Sequence, residues 1–454
     1  MSGGLKGADV LFFVLLDIAL ILVAARTVGR TFERIGQPRV VGEIVAGILL
    51  GPTILGFQIA AVTNASWLRC EAARSFVPPG GPPPAQPPPP TLTECLFPAQ
   101  SRGVLAIIGS LALALFMFLV GSQLDTDRLR GLWPSISVAS VLAVGIPIAA
   151  AFAITPVLFT DRFAATDVPR LAFTAYIAAI LAVTAFPVMV RILQELGMDR
   201  TKMGGVGIAS AAVITVLMFL LLNVANGIKQ ERGATSLLAT LAMTVLYVGV
   251  MLFVVRPLLA GRANALIGPD GTIGMAAIVW LVVLVAASCV ISDRLGLGPI
   301  VGGFLAGVAL PRTAGLGPQL DARLQPITVG VMLPIFLAFS GLNTNLRLLG
   351  WAWMPGIVAL LVAAIACKWL SGLVGGRLTG MTWAEGNLLG VLFNCRGLLV
   401  LVVALAALQQ KAITPQLQAA AVLVALVTTM MTGPLAAWAG GKLTESRIEE
   451  GAAS

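Results

Sequence analysis

The sequence contains no histidine and little charge, since Lys, Arg, Asp and Glu make up only 11% of its 454 residues while 58% are hydrophobic. A soluble domain of this length would carry about twice that charge. The composition therefore excludes a soluble globular protein and indicates a polytopic membrane protein. The five cysteines show no metal-ligand spacing, and without histidine we expect no zinc site.

A phosphate-binding glycine loop is also missing. Gly302, Gly303 and Gly307 lie in an apolar segment, where glycines allow helices to pack closely. We therefore expect no bound cofactor, no metal and no catalytic site, and the protein is not predicted to be an enzyme.

The sequence does contain apolar runs, many of them close to the roughly 20 residues that a membrane-spanning helix needs. Thirteen such runs are predicted as spans: 9–26, 40–59, 103–124, 132–156, 171–192, 204–226, 236–258, 273–291, 297–311, 328–342, 352–374, 385–408 and 417–440. The run at 297–311 is short and rich in glycine. Without it, every later loop would lie on the other side of the membrane.

The distribution of Lys and Arg predicts the orientation, because short cytoplasmic loops collect positive charge. With the N-terminus outside and the C-terminus cytoplasmic, sixteen basic residues flank the inner side and eleven the outer side. Four arginines follow the first span, at 26, 30, 34 and 39. This bias accounts for much of the net charge of +9, so we expect a multi-pass protein of the cell membrane with no nucleic-acid partner. The first span is predicted to be an anchor rather than a cleaved signal peptide.

The longest polar interruption, 63–102, is rich in proline and is predicted to be an extended external loop. Cys70 and Cys95 bracket it, and a disulfide between them would hold its ends on an oxidising face. Two unpaired cysteines are the alternative. Cys289, Cys367 and Cys395 lie in apolar spans, where a lone cysteine is usually a small core residue.

Two parts of the chain, 132–226 and 352–440, each comprise three spans with an interrupted middle member. The interruptions are Thr184–Pro187 and Asn394–Gly397. Seven spans separate corresponding helices, so the two triplets enter the membrane from opposite sides. This is the pattern of inverted repeats, whose broken helices meet at the middle of the membrane. A simple proline kink is the alternative at the first interruption.

Seven segments carry a resemblance to a known family. They are Gly42–Pro52, Phe116–Asp125, Thr184–Pro187 with Arg191 and Glu195 after it, Gly302–Gly307, Leu333–Phe336 with Ser340–Leu342, Asn394 with Arg396–Leu398, and Thr428–Leu435. In this order they resemble the monovalent cation:proton antiporter-2 family, the Kef-like and sodium/proton exchanger group, over about residues 10 to 440.

The resemblance implies an all-α polytopic fold of about thirteen helices and a homodimer, with 1–454 forming a single transporter domain. It assigns 132–226 and 352–440 to a core that moves like an elevator, and 9–124 and 236–342 to a scaffold with its linker. It also implies exchange of a monovalent cation, or another small solute, for protons across the lipid bilayer.

The chain departs from the family at the cation site. Aligned by the Thr184–Pro187 break, the usual acidic pair falls on Ile214 and Thr215, and no acid occurs from Thr201 to Asn226. Val400 and Leu405 stand where family members often have a Glu and an Asn. The predicted ion or substrate pathway comprises Thr184, Phe186, Pro187, Ile214, Thr215, Lys368, Asn394 and Arg396.

Lys368 matches a lysine that normally pairs with the missing acid, and a buried ammonium must either lose its charge or find another anion. Three interpretations remain open. Lys368 carries a proton while Thr215, Thr184, Asn394 and carbonyls coordinate a solute. Alternatively, Lys368 and Arg396 bind an anionic substrate. In the third, Lys368 extends to the cytoplasmic interface, Arg396 caps helix carbonyls, and transport is lost.

Two further carboxylates lie in early spans, Asp17 in the first and Glu43 in the second. The resemblance places both in the scaffold, and Glu43 is predicted to pair with an arginine. Asp17 is a candidate only because acids inside membranes are rare. A carrier for an anionic or neutral organic solute and a non-transporting membrane protein are the alternative functions.

Overall fold

Apolar helices make up almost all of the computed structural model, which describes residues 7–37, 39–56, 91–123, 130–195, 197–198, 201–231, 233–262, 273–311 and 316–453. The first nine helices are α1 Gly7–Arg34, α2 Arg39–Leu50, α3 Leu92–Leu96, α4 Ala99–Gln123, α5 Trp133–Leu158, α6 Arg170–Ala182, α7 Phe186–Glu195, α8 Lys202–Lys229 and α9 Ala234–Val250. The others are α10 Arg256–Gly261, α11 Met275–Arg294, α12 Gly298–Val308, α13 Leu316–Ile327, α14 Leu333–Leu342, α15 Met354–Leu378, α16 Trp383–Phe393, α17 Gly397–Gln409 and α18 Pro415–Ala453.

The helices agree with the predicted spans, since each of the thirteen apolar runs overlaps a helix or a pair of helices. Within the described ranges, nine helical stretches are long and apolar enough to cross a membrane. The short, glycine-rich run at 297–311 forms the helix α12. The chain is a multi-pass, all-helical membrane protein.

The proline-rich loop falls largely on residues 57–90, which are outside the described residues, and so does Cys70. The end of the predicted loop is already helical. Thr91 caps α3 by accepting a hydrogen bond from the N–H of Glu94, and α4 begins at Ala99 rather than after Arg102. Cys95 is buried on α3, and its disulfide with Cys70 stays a prediction.

The chain divides into two compact units. Unit 1 takes in 1–113 and 326–347, and unit 2 takes in 114–325 and 348–454. The core of unit 1 is an apolar cluster formed by Ile21, Phe97, Leu105, Ile335, Ala338 and Leu342. The scaffold and core assignment made from the sequence stays a prediction.

Glycines bring helices of unit 2 into backbone contact, as the apolar setting of Gly302, Gly303 and Gly307 predicts. A Cβ at Gly302 would lie 2.6 Å from the Cα of Cys289 on α11, and Cβ atoms at Gly303 and Gly307 would overlap backbone atoms of α4. These glycines therefore serve close helix packing.

The helix interruptions lie where the sequence places them. Helix α6 ends at Ala182 and α7 begins at Phe186, while α16 ends at Phe393 and α17 begins at Gly397. Pro187 is the second residue of α7, a position where a helix has no use for the missing N–H. The first interruption is thus a true break of the helix, and the simple proline kink is excluded.

Candidate functional site

The two helix breaks contact each other through hydrogen bonds. The N–H of Ala185 donates to the carbonyl oxygen of Cys395 at 2.6 Å, and Thr184 Oγ1 donates to the carbonyl of Phe393 at 3.1 Å. Gly397 starts α17 with φ +42°, a conformation that favours glycine. The sequence-predicted residues Thr184 and Asn394 therefore lie in two adjoining non-helical segments.

Arg396 caps the broken end of α6. Its Nη1 donates to the carbonyl oxygens of Ile180 (3.0 Å) and Leu181 (2.9 Å), and its Nη2 donates to that of Ala364 on α15 at 2.5 Å. The last carbonyls of a helix lack partners within the helix, and Arg396, fully buried, satisfies two of them. Its Nε is buried without a partner among the described residues.

Lys368 binds the next carbonyl of the same helix end. Its Nζ donates to Ala182 at 2.5 Å and to Ala143 on α5 at 2.9 Å, and its side chain is fully buried. It therefore does not extend to the cytoplasmic interface as the third interpretation predicts. These contacts place the Lys368 amino group at the negative end of the α6 dipole, which favours a nearby positive charge.

The two positions at which the sequence comparison predicts the family's acidic pair, Ile214 and Thr215, lie on α8. Ile214 is fully buried, and Thr215 Oγ1 donates to the carbonyl of Ala211 in its own helix at 2.8 Å. Ser210, one turn before Ile214, has a buried Oγ without a partner among the described residues. Its carbonyl accepts a 3.4 Å bond from Ser140 on α5.

Asn394 supplies a second vacant oxygen. Its Nδ2 donates to the carbonyls of Gly390 (3.1 Å) and Ile365 (3.3 Å), while its Oδ1 is buried without a partner within the described part of the chain. The ring of Phe186 packs edge-on against Phe304 on α12, with centroids 6.1 Å apart. Pro187 contributes backbone at the start of α7.

Sequence reasoning missed three hydroxyl residues of this region. Thr429 Oγ1 accepts the N–H of Gly397 at 3.0 Å, and Ser371 Oγ donates to the carbonyl of Leu142 at 3.1 Å. Ser210 is the third. Small hydroxyl residues are common in membrane helices, where they hydrogen-bond to neighbouring helices, so their positions alone carry little signal.

The two early carboxylates belong to unit 1, and the residues above belong to unit 2. Glu43 Oε1 accepts from Arg39 Nε at 2.9 Å, which confirms the predicted pairing with an arginine. Asp17 is fully buried, and neither of its oxygens accepts a hydrogen bond from the described residues.

Unit 2 thus combines two buried basic side chains, a set of helix-end carbonyls and, among the described residues, two buried oxygens without a partner. Carbonyl and amide oxygens can coordinate a cation, and buried cations can hold an anion or exchange a proton. Crossing broken helices inside a multi-pass apolar protein are the arrangement of secondary transporters.

Comparison with known proteins agrees with this class. The chain belongs to the transmembrane sodium/hydrogen exchanger family, which matches residues 18–439. It is 28% identical to the Na(+)/H(+) antiporter NhaS4 of Synechocystis over 94% of this chain and 97% of that protein. It is 27% identical to the K(+)/H(+) antiporter 1 of Saccharomyces cerevisiae over 93% of this chain but only 46% of that protein.

A solved structure shares the fold at low sequence identity. The sodium proton antiporter MjNhaP1 from Methanocaldococcus jannaschii superimposes with a TM-score of 0.58 at 14% identity, over 95% of this chain and 98% of that one. The family identification made from the sequence motifs is therefore confirmed, and so is the antiporter fold.

Proposed function

We propose that the protein exchanges a monovalent cation for protons across the cell membrane. Its relatives in the sodium/hydrogen exchanger family are antiporters for sodium or potassium. The observation that carries the proposal is the meeting of the two helix breaks, with Lys368 bound to the free end of α6.

The coupling proposed here is non-standard, because Ile214 and Thr215 replace the acidic pair. Lys368 carries the proton and occupies the carbonyl oxygens of Ala182 and Ala143 while it is charged. When its ammonium N–H bond breaks and the proton passes to water, the neutral amine holds these oxygens less strongly. A cation can then bind the two carbonyls together with Asn394 Oδ1, so that one positive charge replaces another.

We propose that 132–226 and 352–440 form a core that slides past the scaffold of a homodimer, with the N-terminus outside. Helix ends inside such a core face water on one side at a time. Thr184 and Phe186, beside the break, then belong to the substrate pathway.

The test is proton movement in proteoliposomes that hold a pH gradient, with sodium, potassium and rubidium added in turn. The purified protein should exchange protons for at least one cation, and Lys368→Gln should abolish the exchange. Lys229→Gln is the matched control, because Lys229 lies at the exposed end of α8. Exchange retained in Lys368→Gln contradicts the role of Lys368, and no exchange in the unaltered protein contradicts antiport.

A second candidate function is the carriage of an anionic or neutral organic solute. The buried and vacant Nε of Arg396 favours it, because a guanidinium with a free donor can bind a carboxylate. In that case Arg396→Gln should weaken solute binding, while sodium and potassium leave the flux unchanged. Cation-dependent proton flux in the unaltered protein would exclude this candidate.

A further inference from the structure

Unit 1 also contains a buried polar group, the carboxyl group of Asp17. Asp17 lies near the middle of α1, is fully buried, and receives no hydrogen bond on either oxygen from the described residues. A buried carboxylate without donors is strongly destabilised, while the neutral acid is tolerated far better. An acid inside a membrane helix is a functional candidate by default, and the neighbours of Asp17 strengthen the case.

The polar neighbours of Asp17 are Ser101 and Arg102, in the first turn of α4, and the Ser101 hydroxyl is close enough to interact with the carboxyl group without reaching hydrogen-bond geometry to either of its oxygens. Their donors are engaged elsewhere. Ser101 Oγ donates to the carbonyl of Pro98 at 2.9 Å. Arg102 donates through Nε to Phe97 (2.7 Å) and through Nη2 to Thr93 (3.4 Å). The cation therefore lies near Asp17 without forming an ion pair with it.

Among the described residues, the remaining surroundings supply no other hydrogen-bond partner for Asp17. Glu94 on α3 interacts electrostatically with Arg102. On α2, Arg39 and Glu43 bind each other beside Gly29, three turns along α1. Helix α14, which also packs against α1, has no titratable residue in its sequence, and Ile21, one turn after Asp17, joins the apolar cluster with Phe97 and Leu105.

We infer that Asp17 is a proton-binding site in unit 1, protonated in the observed arrangement and paired with Arg102 after it releases its proton. In that step the carboxyl O–H bond breaks and the proton passes to water. The carboxylate then accepts N–H from Arg102 and O–H from Ser101. These donors leave the carbonyls of Phe97 and Pro98, so the connection between α3 and α4 responds to the proton.

A structural role alone predicts something different. A carboxylate that merely fixes α1 to α4 would hold Ser101 and Arg102 in direct hydrogen bonds at the positive end of that helix. Here both donors bind backbone carbonyls instead. This is the arrangement expected for a neutral carboxylic acid whose neighbouring cation donates to other acceptors.

Infrared spectroscopy of the whole protein in lipid tests the protonation directly. We expect a carbonyl stretching band of a protonated carboxylic acid at neutral pH, absent from Asp17→Asn and retained in Asp9→Asn. Asp9 is the matched control because it lies in the first turn of the same helix and is partly exposed. A band unchanged in Asp17→Asn overturns the inference, and so does a neutral-pH spectrum without the band.

Arg102→Gln provides a second test that keeps Asp17 in place and does not depend on folding of Asp17→Asn. Removing the cation should strengthen proton binding about tenfold, which moves the loss of the band upward by about one pH unit. An unchanged midpoint in Arg102→Gln contradicts the proposed pairing.

The use of this proton in transport rests on the proposed antiport. If the unaltered protein exchanges cations for protons, the pH profile of the flux should shift in Arg102→Gln. A band that behaves as expected with no exchange in the unaltered protein overturns antiport but leaves the proton site standing. Exchange with an unshifted flux profile in Arg102→Gln contradicts its use in transport.

Discussion

The Nζ of Lys368 lies 2.5 Å from the carbonyl oxygen of Ala182, the last residue of α6. The two carbonyls before it, those of Ile180 and Leu181, accept from Arg396. Three consecutive carbonyls at the broken end of α6 are thus bound by the basic side chains of Lys368 on α15 and Arg396 at the second break. These two side chains therefore stabilise a break that would otherwise expose unpaired backbone inside the membrane.

Arg396→Lys should destabilise the protein although it keeps the charge. The guanidinium bridges carbonyls on α6 and α15, and the single ammonium of lysine cannot reproduce this forked geometry. Each buried carbonyl left without a donor costs about 1–3 kcal/mol. Thermal unfolding in detergent measures the loss.

Arg162→Lys is the matched control, because Arg162 is exposed, lies 5.9 Å from the centroid of the Trp353 ring, and among the described residues donates to the carbonyl of Ala352 alone. We expect little change in its unfolding temperature. If the unfolding temperature falls equally in the two variants, the bridging by Arg396 adds no stability of its own.

Gly372→Ala should separate α15 from α16. A Cβ at Gly372 would overlap the backbone of Gly390, which no rotation of a side chain can relieve. Overpacking of this kind costs about 1–3 kcal/mol. Gly145→Ala is the control, since a Cβ at this exposed position of α5 meets nothing within 4 Å, and there alanine should raise helix stability by up to about 1 kcal/mol. A Gly372→Ala protein that unfolds at the temperature of the unaltered one would contradict the close packing.

The positions of the helix breaks were predictable because their signals are local. Proline is common at helix starts, and glycine is common where the backbone angles are unusual. Pro187 and Gly397 both lie at the breaks. The capping contacts were not predictable in detail. Arg396 and Ile180 are 216 residues apart, and no sequence pattern specifies which carbonyls a buried cation will reach.

The hydrogen-bond partners of Lys368 were not predictable from the sequence either. The sequence indicates that its usual acidic partner is missing, but a helix end carries no residue type that marks it as a substitute anion. Likewise, the sequence places Asp17 in the membrane, while its lack of a partner depends on the directions of Ser101 and Arg102.

Thr184→Val should weaken the contact between the two breaks. Valine keeps the shape of threonine but removes the donor to the carbonyl of Phe393, which is then left buried without this hydrogen bond. We expect a loss of about 1–3 kcal/mol in thermal unfolding, and recovery of most of it in Thr184→Ser, which restores the hydroxyl. If the serine variant is as unstable as the valine variant, the hydroxyl is not the cause.

The predicted disulfide can be counted by mass spectrometry after alkylation of the denatured protein. Cys289, Cys367 and Cys395 are free, so with a Cys70–Cys95 bond the unreduced protein should take up three labels, one for each free cysteine. After reduction it should take up five, one for each cysteine of the sequence. Cys95→Ser should add a label without reduction, because it releases Cys70. Five labels on the unreduced, unaltered protein would exclude the bond.

The double variant Ile214→Asp, Thr215→Asp tests whether the antiporter scaffold is intact. Both positions are buried on α8, where a carboxylate is stable only when it is paired or protonated. If Lys368 can reach it, the restored acid offers the lysine a stronger partner than the carbonyl of Ala182, and cation binding can then compete for that acid. We expect cation-dependent proton flux in this variant at a higher rate than in the unaltered protein. Val144→Asp, at a partly buried position of α5, controls for added charge alone. A folded double variant without flux would mean that the exchange of charge in this protein depends on groups other than a restored acidic pair.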